Sequence, residues 1–305
     1  MPPHRIILAL CIAASLASTR STDSQTAIPY SLTVAVDEVE ITFHPLDARG
    51  LPVTDLRLDE LRVLDNGRPP RRTVLFEALR DLPIRAGILL DTSASMAQNR
   101  PLEQNIASLY TQRILDQKTD QAFVMSFGKR FETRQTWSNN PAALTVAIQH
   151  SGTAPSTTAI FDALYAACRY KFGKLGHAAS GNFILLFSDG EDDASFLILQ
   201  DAVTACQQTN TAIYSFGADS QSQSGSHILF QLASLTGGRV FRDSGSAEEI
   251  DDDLRLIQAN LRNQYRLVYN PAELKRDGAF HTVVLLPPDR VAAIYARTGY
   301  YAPTH

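Results

Sequence analysis

Two unbroken apolar runs, Ala86-Gly87-Ile88-Leu89-Leu90 and Phe183-Ile184-Leu185-Leu186-Phe187, constrain this chain more than any other feature. A strand that is apolar at every position must be covered on both faces, and segments of helical period between such strands supply the cover. From Arg85 onward the sequence alternates accordingly. Leu102, Ile106, Leu109, Tyr110 and Ile114 keep helical spacing, with Pro101 suited to a first helical turn. Residues 122–127 read as a second strand. Phe131, Thr133, Gln135 and Trp137 alternate, so a half-exposed strand pairs back through Gly128-Lys129. Helices are predicted over 142–149, 159–172, 196–208, 228–235 and 250–261, and further strands over 212–216 and 239–241. This alternation predicts an α/β fold, a doubly wound and mostly parallel sheet with helices on both faces.

The flanks follow a different rule. Residues from about 31 to 77 and from 265 to 301 alternate in period two, with tight-turn signals at Asp65-Asn66-Gly67 and Asp277-Gly278. Each flank alone is too small for a comfortable core, so the two are expected to join as one small β-rich domain interrupted by the α/β domain. At the start of the chain, Arg5 precedes an apolar and small stretch from Ile6 to Ala17, and Ser15-Leu16-Ala17 offers a small-x-small cleavage site. That pattern reads as a secretory signal peptide. Cys11 follows Leu8-Ala9-Leu10, but a lipidation box wants a small residue before its Cys, so no lipid anchor is expected. The expected organisation is a signal peptide at 1–17, a β-rich flank at 18–84, an α/β domain at 85–262 and a second β-rich flank at 263–305. No later stretch is apolar enough for a membrane helix, which places the processed protein outside the cytoplasm, secreted or periplasmic. Two cysteines would remain, Cys168 and Cys206, each on the apolar stripe of a predicted helix. They serve there as small buried hydrophobes, or as a disulfide that an oxidising compartment permits.

Charge and motifs then exclude several functions. A formal net charge of −4 leaves no broad cationic face for nucleic acid. Arg68, Arg71 and Arg72 around Pro69-Pro70 read as a solvated turn. There is no phosphate-binding Gly-x-Gly-x-x-Gly or Walker loop, no Gly-x-Ser-x-Gly elbow and no His-Glu-x-x-His among the seven scattered histidines. What stands out is oxygen. Asp91-Thr92-Ser93-Ala94-Ser95 follows the first buried strand, Ser188-Asp189-Gly190 follows the strongest one, and Thr157-Thr158 precedes a helix. Hydroxyls and carboxylates at the carboxyl ends of neighbouring strands suit a hard divalent cation rather than zinc. A Ser/Asp cluster after a strand can also be only a helix cap. Asp192 and Asp193 precede a predicted helix and read as its capping residues, and Asp162 reads as a first-turn residue that steadies the Thr158 loop.

The order Asp91, Ser93, Ser95, Thr158, Asp189 resembles the metal-ion-dependent adhesion site of the von Willebrand factor type A (VWA) domain, a Rossmann-like fold. Leu61-x-Val63-x-Asp65-Asn66-Gly67, Ser188-Asp189-Gly190-Glu191-Asp192, Thr236-Gly237-Gly238-Arg239 and Ala296-Arg297-Thr298-Gly299-Tyr300 extend the resemblance to a bacterial VWA-related secreted family, abundant in acidobacteria. Two positions depart from the pattern: Ala94 and Thr157 stand where the family has glycine. Thr157 and Thr158 therefore both come into question, and the following Ala-Ile-Phe-Asp aligns the site with Thr158. The resemblance implies a divalent cation, Mg²⁺ before Mn²⁺ or Ca²⁺, held by Ser93, Ser95 and Thr158 directly and by Asp91 and Asp189 through waters. So few charges leave the ion electrophilic and open to a Glu or Asp carboxylate of a protein partner. That is binding chemistry, and no enzyme is expected. The alternatives are a hydrolase using the metal as Lewis acid and a scaffold whose metal is only structural.

Overall fold

The two apolar runs are the two central strands of a six-stranded sheet. The structure, a computed structural model, describes residues 38–115, 118–153, 157–175, 180–217, 223–241 and 247–304. The expected leader at 1–17 lies outside the described residues. In chain order the strands are β1 (Val39–Leu46), β2 (Arg62–Asp65), β3 (Arg72–Leu79), β4 (Ile84–Asp91), β5 (Gln121–Phe127), β6 (Phe131–Ser138), β7 (Gly181–Phe187), β8 (Thr211–Phe216), β9 (Arg239–Phe241), β10 (Gln264–Asn270), β11 (Phe280–Leu286), β12 (Ala293–Ala296) and β13 (Gly299–Tyr301). The α-helices are α1 (Arg100–Ile114), α2 (Pro141–Gln149), α3 (Ile160–Ala166), α4 (Leu199–Gln208), α5 (Gln223–Thr236) and α6 (Ala247–Arg262).

The large sheet has the order β6-β5-β4-β7-β8-β9, parallel except for β6, which returns antiparallel to β5 as the alternation at 131–137 predicts. Period-two alternation sorts each central strand between two cores. Ile84, Ala86, Ile88 and Leu90 with Phe183, Leu185 and Phe187 face α1, α2 and α6. Leu89, Ile184 and Leu186 face α3, α4 and α5. Helices thus cover both faces. At the amino end of the sheet the fully buried Asp120 accepts from Arg262 Nη2 at 2.7 Å and from the Ile84 N–H at 2.9 Å, fastening the end of α6 to β4.

The flanks do interleave. β1 and β3 of the first flank pair with β10 and β12 of the second in the antiparallel order β12-β1-β10-β3, and β2 joins β11 and β13 in a second sheet. Asn66 and Gly67 both take positive φ (47° and 74°), the conformation a two-residue primed turn needs, and one bridge closes between Asp65 and Arg68. Pro69-Pro70 then stop the ladder, because proline has no N–H to give it. The chain leaves the turn in a different sheet from the one it entered. Between the sheets, Asp65 accepts from Tyr269 and Tyr300, each at 2.9 Å, and lies 3.1 Å from His281 Nδ1. This buried cluster satisfies the Asp65 carboxylate.

The flanks rest on the helices of the α/β domain. Thr298 N–H donates to the Ser234 carbonyl at 3.1 Å, and Gln207 Nε2 donates to the Leu235 and Gly299 carbonyls at 2.6 and 2.8 Å. Gly237, at φ 84°, lies so close to strand β12 that a Cβ would stand 3.0 Å from the Arg297 nitrogen. The sequence motifs around Thr236 and Arg297 therefore make this junction.

Several helices differ from their predicted spans: α5 runs from Gln223 against a predicted start at 228, and α6 from Ala247 against a predicted start at 250. The helix predicted over 196–208 begins only at Leu199, and the one predicted over 159–172 gives way after Ala166 to a π turn, Ala167–Lys171. Cys168 in that turn is bonded to Cys206 of α4, so the disulfide reading holds. Replacing both cysteines with alanine reopens a loop of 38 residues and should cost about 2–4 kcal/mol in urea unfolding. A second expected outcome concerns acid. Burial pushes the His44 imidazole down to about 4, so between about pH 6.5 and 4 the unfolded chain holds the extra proton. Stability therefore falls as pH drops through that window, by up to about 3 kcal/mol. Urea melts at pH 7.5 and 5 should show a smaller loss for His44→Gln than for the wild type.

Candidate metal centre

Winding reverses between β4 and β7, so the crevice for a ligand opens at their carboxyl ends. Asp91 closes β4, in register with Phe127 of β5, while Ser188 and Asp189 follow β7 one step beyond the Leu90–Phe187 pair. The Asp91 carboxylate, 1% exposed, is divided between the two loops. Its Oδ1 accepts the Ser93 N–H at 2.9 Å, and its Oδ2 accepts the Ser188 hydroxyl at 2.8 Å. The first bond curls the 91–95 loop over the strand end. That curl brings the Ser93 and Ser95 hydroxyl oxygens to 3.1 Å from each other, Ser93 buried and Ser95 exposed.

Two neighbours fix that loop. Thr92 donates from both N–H and hydroxyl to the Phe127 carbonyl, each at 2.8 Å. Arg100, in the first turn of α1, donates from Nη2 to the Thr92 and Ser93 carbonyls, both at 3.0 Å. The Thr158 loop leans on the turn between β5 and β6, since the Ala159 N–H donates to the Gly128 carbonyl at 2.9 Å. Thr158 is buried and Thr157 half-buried. Asp189 is half-buried, its Oδ1 accepting the Glu191 N–H at 3.1 Å. Gly190, at φ 83°, sits against α5 with no room for a side chain: a Cβ would lie 2.2 Å from the Gly225 carbonyl oxygen.

Three carboxylates differ from the roles predicted for them, capping of the following helix for Asp192 and Asp193 and steadying of the Thr158 loop for Asp162. Asp193 does not cap α4. Its Oδ1 accepts the Thr158 N–H at 2.7 Å, and the Asp193 and Ala194 N–H groups return to the Thr158 carbonyl at 3.1 Å. Asp192 accepts the Phe161 N–H at 3.1 Å in the first turn of α3, so it caps a helix from another part of the chain. Asp162 accepts the N–H groups of Phe196 and Leu197 at 3.1 and 2.9 Å, and so steadies the 195–198 segment rather than the Thr158 loop. Side-chain acceptors satisfy these amides outside any helix, which is why α4 starts late. Periodicity reads only neighbours along the chain, and these partners lie about 35 residues away. Ser188, named in the sequence with Asp189 but given no role of its own, and Arg100, not singled out at all, both support the site. A hydroxyl beside Asp189 at a strand end was a usable signal for Ser188; Arg100 had none.

The residues fit a hard cation. Among the described residues no three His, Cys, Asp or Glu side chains gather as a metal site. This candidate is instead two carboxylates with three hydroxyls, the donor set of a small hard ion. For an octahedral ion with ligands at about 2.1 Å, adjacent oxygens lie about 3 Å apart, close to the Ser93–Ser95 separation. Burial pushes the Asp91 carboxyl up to about 6 and Asp189 adds to the push, while the bonds from Ser93 and Ser188 only partly offset it. Among the described residues no cationic side chain is paired with this carboxylate.

The sequence model of the von Willebrand factor type A domain matches residues 87–255, and this chain belongs to that family. Domains of this family commonly act as metal-dependent interaction modules. Solved structures similar to this chain include BatB from Bacteroides thetaiotaomicron (16% identity, 57% of this chain and 97% of that one, TM-score 0.47). An aerotolerance-related membrane protein from Bacteroides fragilis is similar at 15% identity, over 58% of this chain and 98% of the other, with TM-score 0.47. Proximal thread matrix protein 1 from mussel byssus, in a form with its MIDAS motif occupied by zinc, is similar at 14% identity and TM-score 0.48 over 65% of this chain. The match takes in 50% of that protein. The chain matches no curated protein.

The raised Asp91 carboxyl has a measurable consequence. Between about pH 4 and 6 the folded protein holds the extra proton, so this group's contribution to stability is present in acid and lost as pH rises through that window. Asp91→Asn removes the buried charge. In EDTA at pH 7.5 the variant should be more stable than the wild type by about 1–3 kcal/mol, and the two should converge near pH 4.

Proposed function

We propose that Asp91, Ser93, Ser95, Thr158 and Asp189 hold a divalent cation, Mg²⁺ before Mn²⁺ or Ca²⁺, and that the protein uses it to bind a Glu or Asp carboxylate of a partner protein. The observation that carries this reading is the Asp91 carboxylate. It is buried, pushed toward neutrality, and bonded to two of the three loops that bear the other donors. When bound, the cation supplies an electrophilic centre that accepts an outside oxygen. The chain's own residues do the rest. Asp91 sets the curl of the serine loop, Arg100 holds its carbonyls turned away, and Asp193 fixes the backbone of Thr158. A ring of hydroxyls and carboxylates suits binding and not turnover.

The place of action we propose is outside the cytoplasm, in line with the leader expected at 1–17. The Cys168–Cys206 disulfide supports it, because such bonds persist in oxidising compartments. No helix among the described residues is long and apolar enough to cross a membrane. The motifs that join the flanks to the α/β domain support the secreted bacterial branch of the family.

Asp91→Ala should abolish Mg²⁺ and Mn²⁺ uptake in calorimetry and, with it, chelator-sensitive capture of an acidic partner. Ser93→Ala removes one neutral ligand and should weaken uptake less. Asp193→Ala should weaken it by about 10–100-fold, since the lost bond orients a ligand loop. Unchanged Mn²⁺ uptake in Asp91→Ala would overturn the proposal.

A further inference from the structure

Phe196 is 96% exposed and Ile198, two positions on, 60% exposed. Single exposed apolar side chains are ordinary on a protein surface. What sets Phe196 apart is the backbone beneath it. The Ser195 N–H donates to Asp192 Oδ1 at 3.2 Å, the Phe196 N–H to Asp162 Oδ2 at 3.1 Å, the Leu197 N–H to Asp162 Oδ1 at 2.9 Å and the Ile198 N–H to Asp201 Oδ2 at 3.2 Å. Four consecutive amides are each held by an ionisable acceptor, the strong class of hydrogen bond. The segment is fixed in place while its ring is left to water. A preordered aromatic group loses little freedom on binding, and such groups carry a large share of interface energy.

The segment that carries the ring is also joined to the candidate metal centre. The segment begins at Asp189 and is tied to Thr158 by Asp193, three residues before Phe196. On the other side of Thr158, Ala159 is bonded to Gly128 in the turn that leads to Phe131, which is 45% exposed. Phe131 pairs with Phe127 and Phe127 with Asp91, so Phe131 lies two strands out on the same rim, roughly 10 Å away. Exposed apolar residues therefore lie on two segments that are each joined to the Thr158 loop of the candidate centre. The carboxylates of Asp162, Asp192 and Asp193 are turned to backbone amides, so the acidic segment around them opposes an incoming anion less than its composition suggests.

We infer that Phe196 and Ile198 form the apolar half of an interface whose polar half is the metal centre. The partner is a protein surface on which a Glu or Asp carboxylate lies beside an apolar depression. This inference rests on the metal-binding reading above and adds to it the chemistry around the carboxylate.

The test probes an array of peptides with the full chain, in Mn²⁺ and in EDTA. Each peptide carries one Asp or Glu, flanked on both sides either by Leu and Phe or by Ser and Gly. The wild type should retain apolar-flanked peptides at least tenfold better, and only with Mn²⁺. Phe196→Ser should remove that preference, whereas Val146→Ser, an exposed apolar position on α2, should keep it. Calorimetric Mn²⁺ uptake is measured on each protein. Uptake with equal retention of both peptide sets overturns the inference and leaves the metal reading standing. No uptake by the wild type overturns the metal reading itself. Sedimentation adds a further arm: a dimer that Phe196→Ser dissolves without changing peptide selectivity assigns the segment to self-association and overturns the inference.

Discussion

Burial of β4 and β7 on both faces is the constraint from which the rest of this structure follows. Neither strand can present a side to water, so helices must cover the sheet above and below, and right-handed crossovers place them there. The chain satisfies this by winding first toward β5 and β6 and then toward β7, β8 and β9. The reversal leaves the carboxyl ends of the two central strands without a helix between them. Polar side chains find room at that rim, and Asp91, Ser188 and Asp189 stand there. The site is thus a consequence of where the apolar runs stop.

Its electrostatics are a balance held off its own optimum. Asp91 is buried deeply enough that its charge is penalised, yet it is the acceptor that shapes the serine loop and joins it to Ser188. Under the proposed function, a cation would relieve the penalty that this group imposes while it organises the serine loop and Ser188. The surrounding carboxylates work differently. Asp162, Asp192 and Asp193 spend their acceptor capacity on amides of facing loops, so they order the rim without crowding it with unpaired charge.

The flanks answer a size problem. Neither has enough residues for its own core, and together they build two small sheets around Phe43, Tyr265, Leu267 and Tyr269. Asp65 closes that core through two tyrosine hydroxyls and His281. The junction at Gly237 and Thr298 then sets these sheets against the carboxyl ends of α4 and α5, away from the metal rim.

The sequence by itself determined the layered α/β architecture, the hairpin at Gly128 and the pairing of the flanks, and it set five oxygen-bearing side chains at strand ends or a helix start. Each of these is written in periodicity, turn chemistry or spacing, which are local along the chain. Tertiary structure alone decided that Cys168 and Cys206 are joined, that Asp193 serves Thr158 instead of a helix end, and that residues 196–198 leave the helix predicted for them. It also decided that Ser188 and Arg100 support the serine loop. The physical reason is common to all of them. Hydrogen bonds and disulfides are satisfied by whichever partner the packed sheet brings within reach, and a partner tens of residues away leaves no period in the sequence.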